Sequence, residues 1–489
     1  MKTLENLVQK ITKISVTGNL NIPIMSICFD SRKTGPGALF VAIRGTVSDG
    51  HNYIPDVVRM GASAIVCEEM PTSIRHDITY VITNDTNLAL GHICAEFYGH
   101  PSQKLKLVGI TGTNGKTTTA TLLYQLFRKM GYKAGLISTI ANYVDEQSSA
   151  ASLTTPDPLQ INQLISKMVT QGCEYCFMEV SSHALVQQRV AGLYFAGGVF
   201  TNLTHDHLDY HPSFADYRDA KKMFFDKLPE TAFALVNKDD RNGMVMVQNT
   251  NADIKTYALK SISDFHCRIV ECDFAGMSLQ IDGREAWMQL LGEFNAYNLL
   301  TVYAVSILLG QKQEETLTAM STLKPVDGRL EIIRSDNNIT TIVDYAHTPD
   351  ALENVLNVIR DLLPSGHSSQ IITVVGCGGD RDKTKRPQMA KIAAAGSSRV
   401  ILTSDNPRSE EPETIIADML AGLDSAERRN TVTITDRREA IRTACMMAAS
   451  GDVVLVAGKG HETYQIVKGV KSHFDDREIV KQVFQLNHN

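Results

Sequence analysis

The chain has 489 residues, enough for about three domains. Its 43% hydrophobic and 21% charged content is that of a soluble globular protein, and a net charge of −6 excludes the basic surface of a general nucleic-acid binder. No apolar run approaches the ~18 residues of a membrane helix, and Met1-Lys-Thr-Leu-Glu-Asn6 lacks a signal-peptide pattern, so a cytoplasmic enzyme is expected.

Residues 1–103 carry short strand and helix signals, among them Ala38–Ile43 and Ala64–Cys67, and Pro101-Ser-Gln-Lys104 reads as a linker. Leu107–Ile110 is then an apolar run suited to a buried parallel strand. A loop with Gly112 and Gly115 follows, then Lys116 and Thr117, then Leu122, Leu123, Leu126 and Phe127 at helical spacing. This order builds a phosphate-binding loop. Glycines let backbone N–H groups converge on phosphate oxygens, the helix N-terminus adds its dipole, Lys116 adds a charge, and the Thr117 hydroxyl is a Mg²⁺ ligand. The nucleotide-binding assignment runs through Gly112, Thr113, Asn114, Gly115, Lys116, Thr117 and Thr118. The common motif has Gly five residues before its Gly-Lys pair; here that place is Ile110, with Gly109 beside it, so the loop is a variant. A glycine turn with a chance Gly-Lys-Thr is the alternative, and the strand–loop–helix context argues against it.

Across residues 104–328, strands and helices alternate, which predicts a parallel α/β sheet. Strand candidates include Cys176–Val180, Gly198–Thr201 and Ala232–Val236. The nine cysteines are scattered and odd in number, unlike a disulfide framework, and the lone Cys173-x-x-Cys176 reads as core. Glu179 ends a strand, where nucleotide sites place a metal carboxylate, although a surface ion pair fits the same position. His205 to His211 pack three histidines and two aspartates into seven residues. A dinuclear metallohydrolase uses His-x-His-x-Asp-His; here the run is one residue too long, which leaves His207 as a metal ligand with Glu179, or a polar loop. Tyr217–Lys222 reads as a solvated helix face. Gly292–Asn298 opens a helix with Asn295 and Asn298 on one face, as nucleotide contacts or as capping, and Leu299–Leu309 continues it as a buried stretch.

Lys324-Pro-Val-Asp-Gly328 is a turn and a domain boundary, leaving 329–489 as a third α/β domain. Val343–Pro349 is a strand running into a polar loop. Ile371–Val375, Arg399–Thr403 and Asp452–Ala457 are near-continuous apolar runs, as parallel strands covered on both faces require. Each ends in a polar or glycine-rich loop: Gly376–Arg381, Ser404–Arg408 and Gly458–Glu462. Open α/β sheets bind ligands beyond the carboxyl ends of their strands, so three such loops predict one shared site.

The motifs from Asp30-Ser-Arg32 to His461-Glu462 resemble, in order, those of the Mur ligases, the ATP-dependent amide-bond-forming enzymes of peptidoglycan precursor synthesis. The resemblance rests on Thr111–Thr117, Glu179–His183, Asn202–His207, Asn295 with Asn298, Gly328-Arg329 and Asp344–His347, and it spans almost the whole chain. It implies three α/β domains: an N-terminal UDP-binding domain (1–103), a central P-loop domain with a parallel sheet (104–328) and a C-terminal Rossmann-like domain (329–489). Asp405-Asn-Pro-Arg408 is similar to the signature of members that add meso-2,6-diaminopimelate to UDP-N-acetylmuramoyl-L-alanyl-D-glutamate.

By resemblance, Phe29, Ser31, Thr46, Val47 and Ser48 contact the uridine nucleotide, and Thr154, Thr155, Ser181, Gln187 and Arg189 the muramoyl dipeptide. Asn295, Arg329 and Asp344 contact ATP. Lys116, His207 and Lys221 are the catalytic candidates; Thr117, Glu179, His207 and Lys221, the last as a carbamate, hold Mg²⁺. Arg381, Asp405, Asn406, Pro407, Arg408, Gly458 and Glu462 bind diaminopimelate. The chemistry is direct for Arg408: diaminopimelate carries a distal carboxylate that lysine lacks, and a guanidinium binds a carboxylate through two bonds. Lysine addition on the same scaffold, and a nucleotide-dependent binding module without ligase chemistry, remain the alternatives. A monomer without nucleic-acid or membrane partners is expected.

Overall fold

The structure is a computed structural model, and it describes residues 2–45, 48–204, 210–363 and 369–486. The chain divides into two compact units, Met1–Gly112 with Leu123–Thr201 and Arg218–Thr256, and Thr113–Leu122 with Asn202–Tyr217 and Tyr257–Asn489.

Among its described residues the first unit holds a two-stranded pair, Lys2–Thr3 with Pro23–Ile24, and strands of two larger sheets. Near the N-terminus, Ser26–Cys28, Ala38–Val41, Ala64–Cys67 and Thr79–Thr83 run parallel, and Lys13–Thr17 closes the edge antiparallel to Thr79–Thr83. Leu39, Val41, Ala64 and Val66 face a core completed by Ala89, Leu90 and Ile93 of helix Thr86–Phe97. Phe40, Ile65, Cys67 and Tyr80 face the opposite core with Ile54 and Val57. The predicted strand at 38–43 stops at Val41 because the Ile43 carbonyl accepts the Gly50 N–H and turns the chain.

The second sheet is the parallel one expected from the alternating pattern. Its strands lie in the order Ala134–Ile137, Tyr175–Glu179, Lys106–Thr111, Gly197–Phe200 and Phe233–Asn237. Each sequence-predicted strand here falls within two residues of an observed one. Cys173 and Cys176 are buried, as the core reading predicts, and burial pushes both thiols up. Gly109 lies within its strand: a Cβ there would sit 2.6 Å from the Phe224 ring, so this glycine serves sheet-to-helix packing rather than phosphate binding.

In the second unit, Phe265–Asp273, Gly276–Ile281 and Arg284–Met288 form antiparallel pairs. Helix Glu293–Leu308 follows, buried from Leu299 through Ser306 as the apolar run predicts. The C-terminal sheet has the order Glu331–Arg334, Thr340–Asp344, Val453–Ala457, Ile371–Val375, Arg399–Leu402 and Thr431–Thr433, all parallel except the first. Ile371, Val375, Leu402 and Leu455 pack on one face against helices Pro349–Leu362, Lys385–Gly396 and Pro412–Leu420. Ile372, Val374, Ile401 and Val454 pack on the other against Arg437–Met447 and Asp476–Leu486. Two covered faces explain why these strands read as unbroken apolar runs. Four neighbouring strands end at Asp344, Ala457, Val375 and Leu402, so their following loops emerge along one edge.

Candidate active site

In the second unit, the helix of the phosphate loop begins at Lys116. The Lys116 ammonium donates to the Thr113 carbonyl at 2.7 Å. Asn202 braces the loop twice: its Oδ1 accepts the Asn114 N–H at 2.9 Å, and its Nδ2 donates to the Asn114 carbonyl at 3.2 Å. Thr113 Oγ1 lies 3.0 Å from the Tyr217 hydroxyl and accepts the Thr204 N–H at 3.0 Å. Gly115 has φ 86°, a conformation glycine adopts without strain. Thr117 and Thr118 are buried in the first helical turn. Such a loop, with N–H groups, a helix N-terminus and one ammonium, fits a polyphosphate.

Asn295 and Asn298 do come together on their helix. Asn295 Nδ2 donates to the Leu291 carbonyl at 2.8 Å, Asn298 Nδ2 donates to Asn295 Oδ1 at 3.0 Å, and Thr119 Oγ1 donates to Asn298 Oδ1 at 3.4 Å. The pair therefore anchors the helix that follows the phosphate loop. Sequence reasoning missed Asp350, whose Oδ2 accepts from Asn114 Nδ2 at 2.7 Å and from Thr204 Oγ1 at 3.3 Å. Its only signal was a place in the first turn of a helix capped by Thr348.

In the first unit, Glu179 is fully buried and is no surface ion pair. It accepts the Thr139 N–H at 2.8 Å and the Thr139 hydroxyl at 3.2 Å. Thr139 Oγ1 also lies 3.1 Å from the Thr154 hydroxyl, whose proton completes that bond. Thr155 Oγ1 donates to the Glu179 carbonyl at 2.8 Å and accepts the Ser181 N–H at 3.1 Å. Arg189 donates to the Thr155 carbonyl at 2.7 Å and twice to Gln187 Oε1. Five residues expected at the muramoyl dipeptide are thus one connected cluster around the strand end at Glu179.

The solvated-face reading of Tyr217–Lys222 is corrected. Tyr217 and Lys221, four apart on one helical face, are buried, and only the Arg218–Asp219 side meets solvent. Lys221 Nζ donates to the Gly112 carbonyl at 2.8 Å, within the same unit. A threonine hydroxyl at 117 and a carboxylate at 179 are the hard oxygen donors that Mg²⁺ takes. Among the described residues no group of three or more His, Cys, Asp or Glu is placed to hold a metal. His207, Thr46 and Val47 lie outside the described residues. Phe29 packs against the N-terminal core, Ser31 opens a 3₁₀ turn capped by Asp30, and Ser48 is exposed, its carbonyl accepting the Gly45 N–H at 3.0 Å.

At the C-terminal sheet edge, Asp344 accepts the Leu330 N–H at 2.7 Å and the Ala346 N–H at 2.8 Å. Burial pushes its carboxyl up, opposed by the Arg329 charge and these two bonds. The Arg329 guanidinium lies 4.4 Å from the Tyr345 ring centre, and His461 stacks 5.0 Å from the same ring. Burial and the surrounding cations push the His461 imidazole down to about 3, so it is neutral. Gly328 (φ 64°) passes so close to this loop that a Cβ would lie 2.0 Å from the His461 nitrogen.

The three polar loops do converge. Arg408 Nη1 donates to the Gly379 carbonyl at 2.6 Å, and a Cβ at Gly378 would meet Arg408 Nη1 at 2.8 Å and Arg381 Cγ at 3.8 Å, so the two arginines flank Gly378. The Gly379 N–H donates to the Asn406 carbonyl, and a Cβ at Gly379 would lie 1.9 Å from the Pro407 carbonyl. Asp405 is buried, accepts the Asn406 N–H at 2.6 Å and leaves 2.7 Å between its Oδ2 and a Cβ at Gly458. Asn406 Nδ2 donates to Glu462 Oε2 at 2.8 Å. Arg386, fully buried, donates to Glu410 and to the Gly378 carbonyl, while Glu410 accepts the Asp380 N–H; these bonds hold the Glu410 carboxyl down at about 2. Arg386 and the buried Lys459 were not singled out from the sequence.

The Mur ligase family catalytic domain matches residues 23–98, the Mur ligase middle domain 110–306, and the Mur ligase glutamate ligase domain 328–460. The chain is 55% identical to a UDP-N-acetylmuramoyl-L-alanyl-D-glutamate–2,6-diaminopimelate ligase of Bacteroides fragilis, over 99% of each chain. A solved structure of a ligase with that same name is 30% identical, with TM-score 0.69, over 100% of this chain and 99% of the other. A MurF ligase from Thermotoga maritima in complex with ADP shares the fold at 17% identity, with TM-score 0.61 over 95% and 97%.

Proposed function

The chain belongs to the Mur ligase family, and from that membership we propose that it joins meso-2,6-diaminopimelate to the D-glutamyl γ-carboxylate of UDP-N-acetylmuramoyl-L-alanyl-D-glutamate at the expense of ATP. The carrying observation is the pair Arg381 and Arg408 flanking Gly378, with Asp405 and Glu462 on adjoining loops of the same sheet edge. Two guanidiniums suit the distal carboxylate of diaminopimelate, and the two acids suit its ammonium. L-lysine has no distal carboxylate to offer Arg408, and a site built to pair a charged group discriminates against a ligand that lacks its partner. The lysine-adding alternative is disfavoured on that ground, and the binding-module alternative leaves these loops without a task.

The reaction proceeds by attack of the γ-carboxylate oxygen on the γ-phosphorus of ATP, which releases ADP and leaves an acyl phosphate. The diaminopimelate amine then attacks the acyl carbon, and phosphate departs as the amide forms. Lys116 opposes charge on the transferring phosphoryl group, moving its ammonium from the Thr113 carbonyl to phosphate oxygen. Asn295, Arg329 and Asp344 contact ATP in this reading, and Asn295 also accepts from Asn298, which in turn accepts from Thr119 of the phosphate-loop helix. Thr154, Thr155, Ser181, Gln187 and Arg189 hold the muramoyl dipeptide, with Phe29, Ser31, Thr46, Val47 and Ser48 on the uridine nucleotide. Thr117, Glu179, His207 and a carbamylated Lys221 are the Mg²⁺ ligands of this reading, and the catalytic set is Lys116, His207 and Lys221. Bound Mg²⁺ supplies further neutralisation of phosphate charge. No helix of the described residues is long and apolar enough to cross a membrane. The domains of this reading are 1–103, 104–328 and 329–489, in a cytoplasmic monomer.

The test is phosphate release with ATP, Mg²⁺ and UDP-N-acetylmuramoyl-L-alanyl-D-glutamate, comparing meso-diaminopimelate, L-lysine and no amino acid. Release only with diaminopimelate, with a product of tripeptide mass, is expected. Preference for lysine sinks the pocket assignment, and no amino-acid-dependent release from folded protein sinks the ligase reading.

A further inference from the structure

Lys459 is fully buried, yet no step above uses it. A lysine in such a place is costly unless its charge is paired and its hydrogen bonds are made. Here the ammonium donates to Glu462 Oε2 at 3.0 Å and to Asn406 Oδ1 at 3.3 Å, and it lies 5.4 Å from the Tyr464 ring centre. Asn406 Nδ2 donates to the same Glu462 Oε2 at 2.8 Å, which closes a triangle of side chains from two loops. Asn406 Oδ1 is held in addition by the Ile466 N–H at 3.0 Å, so the amide cannot flip without breaking three bonds.

The backbone beneath the triangle is pinned as well. Arg437 and Asp476 are a fully buried ion pair, and Arg437 Nη2 donates to the Ala457 carbonyl at 3.0 Å. The next residue, Gly458, donates its N–H to the Asp344 carbonyl at 3.0 Å. Glu462 therefore has its position set by the loop and its rotation set by Lys459 and Asn406. Both donors converge on Oε2. Among the described residues Oε1 receives no hydrogen bond, and the side chain is 15% exposed on the loop that borders the edge.

We propose that Lys459 is a positioning residue for the incoming amino acid: its buried ammonium holds Glu462 by one oxygen so that the other is presented to the distal ammonium of the ligand. The proposal rests on the diaminopimelate reading of these loops. Lys459 makes no contact with the ligand, since its ammonium is enclosed. It acts through Glu462, and its removal frees that carboxylate to turn toward solvent or toward Asn406 alone.

The experiment compares Lys459→Met, Glu462→Gln and the double variant with wild-type full-length enzyme, by steady-state phosphate release. Misplacing a ligand-orienting group typically costs about ten- to a hundredfold. The KM for diaminopimelate is expected to rise by at least about tenfold in Lys459→Met, with the KM for ATP and for the UDP substrate within about twofold of wild type. In the double variant the rise is expected to equal that of Glu462→Gln, because a neutral amide has no charged oxygen to present to the ligand ammonium, however Lys459 holds it. An unchanged KM for diaminopimelate in Lys459→Met, or independent effects that multiply in the double variant, overturns the proposal. Should Lys459→Met not fold, as read from its thermal transition and ADP binding, Lys459→Gln keeps one donor for Glu462: an intermediate KM supports the role, an unchanged KM refutes it. If wild-type enzyme shows no diaminopimelate-dependent release, the parent reading fails and this one with it; wild-type turnover with an indifferent Lys459 sinks this one alone.

Discussion

Replacing Arg408 tests how the amino acid is chosen. Its backbone is strapped on both sides, the N–H donating to the Ile466 carbonyl at 3.0 Å and the carbonyl accepting the Lys468 N–H at 2.6 Å. The strap holds φ at 54°, and the guanidinium is tied by its own bond to the Gly379 carbonyl. One of its five N–H groups is used on Gly379, which leaves an edge for a carboxylate. Two charge-assisted bonds are worth about 1.5–3 kcal/mol each. The side chain is only half-buried, so screening trims the sum to roughly 2–4 kcal/mol. That corresponds to roughly a 30- to 1000-fold fall in kcat/KM for diaminopimelate in Arg408→Ala, with L-lysine unaffected or improved. Arg408→Lys is expected to fall between, because it keeps the charge and loses the fork. The assay is kcat/KM for phosphate release with each amino acid. A diaminopimelate-to-lysine ratio that survives in Arg408→Ala, or an equal fall for both, refutes the argument and assigns Arg408 to holding the Gly379 loop instead.

Asp350→Ala removes the acceptor of Asn114 and should raise the KM for ATP about tenfold, at a cost near 1.4 kcal/mol, while leaving the KM for diaminopimelate unchanged in the same assay. Gly328→Ala places a Cβ 2.0 Å from a backbone nitrogen at a positive φ and should lower stability by about 3 kcal/mol, read as a shift of the urea midpoint; an unshifted midpoint contradicts the packing. His461 is held neutral down to about pH 3, whereas the unfolded chain takes up its proton near the ordinary value of 6.5. Its contribution is therefore present in full above 6.5 and is lost as pH falls from there toward 3. His461→Gln should flatten the decline of the urea midpoint between pH 7 and 5; an identical slope in the variant contradicts the burial.

The apolar strands and the loops after them were legible because both follow local rules. Ile371–Val375 is unbroken because two helical layers cover it, and the loop ligands follow from where such strands end. What escaped was set by tertiary neighbours. Lys221 looks like a solvated lysine until the Gly112 carbonyl is seen above it. Asp350 meets Asn114 across 236 residues of sequence, and no periodicity encodes such a pairing. Lys459 sits between two glycines with no local sign that its charge is enclosed. Thr139, the partner of Glu179, lies in a loop that carries no motif.

The covered C-terminal sheet has a consequence for engineering. Its strands are indifferent to which polar loop they deliver, since Val375, Leu402 and Ala457 pack against the helices of one face and the residues that follow lead into the edge. Exchanging 376–381, 404–408 and 458–462 together, as one transplant that keeps Cys377, Gly378 and Gly379, can retarget the amino-acid choice without repacking the strands. Grafting one loop alone puts at risk the contact of Arg408 with Gly379, that of Gly379 with Asn406 or that of Asn406 with Glu462, so selectivity in this scaffold is a three-loop trait.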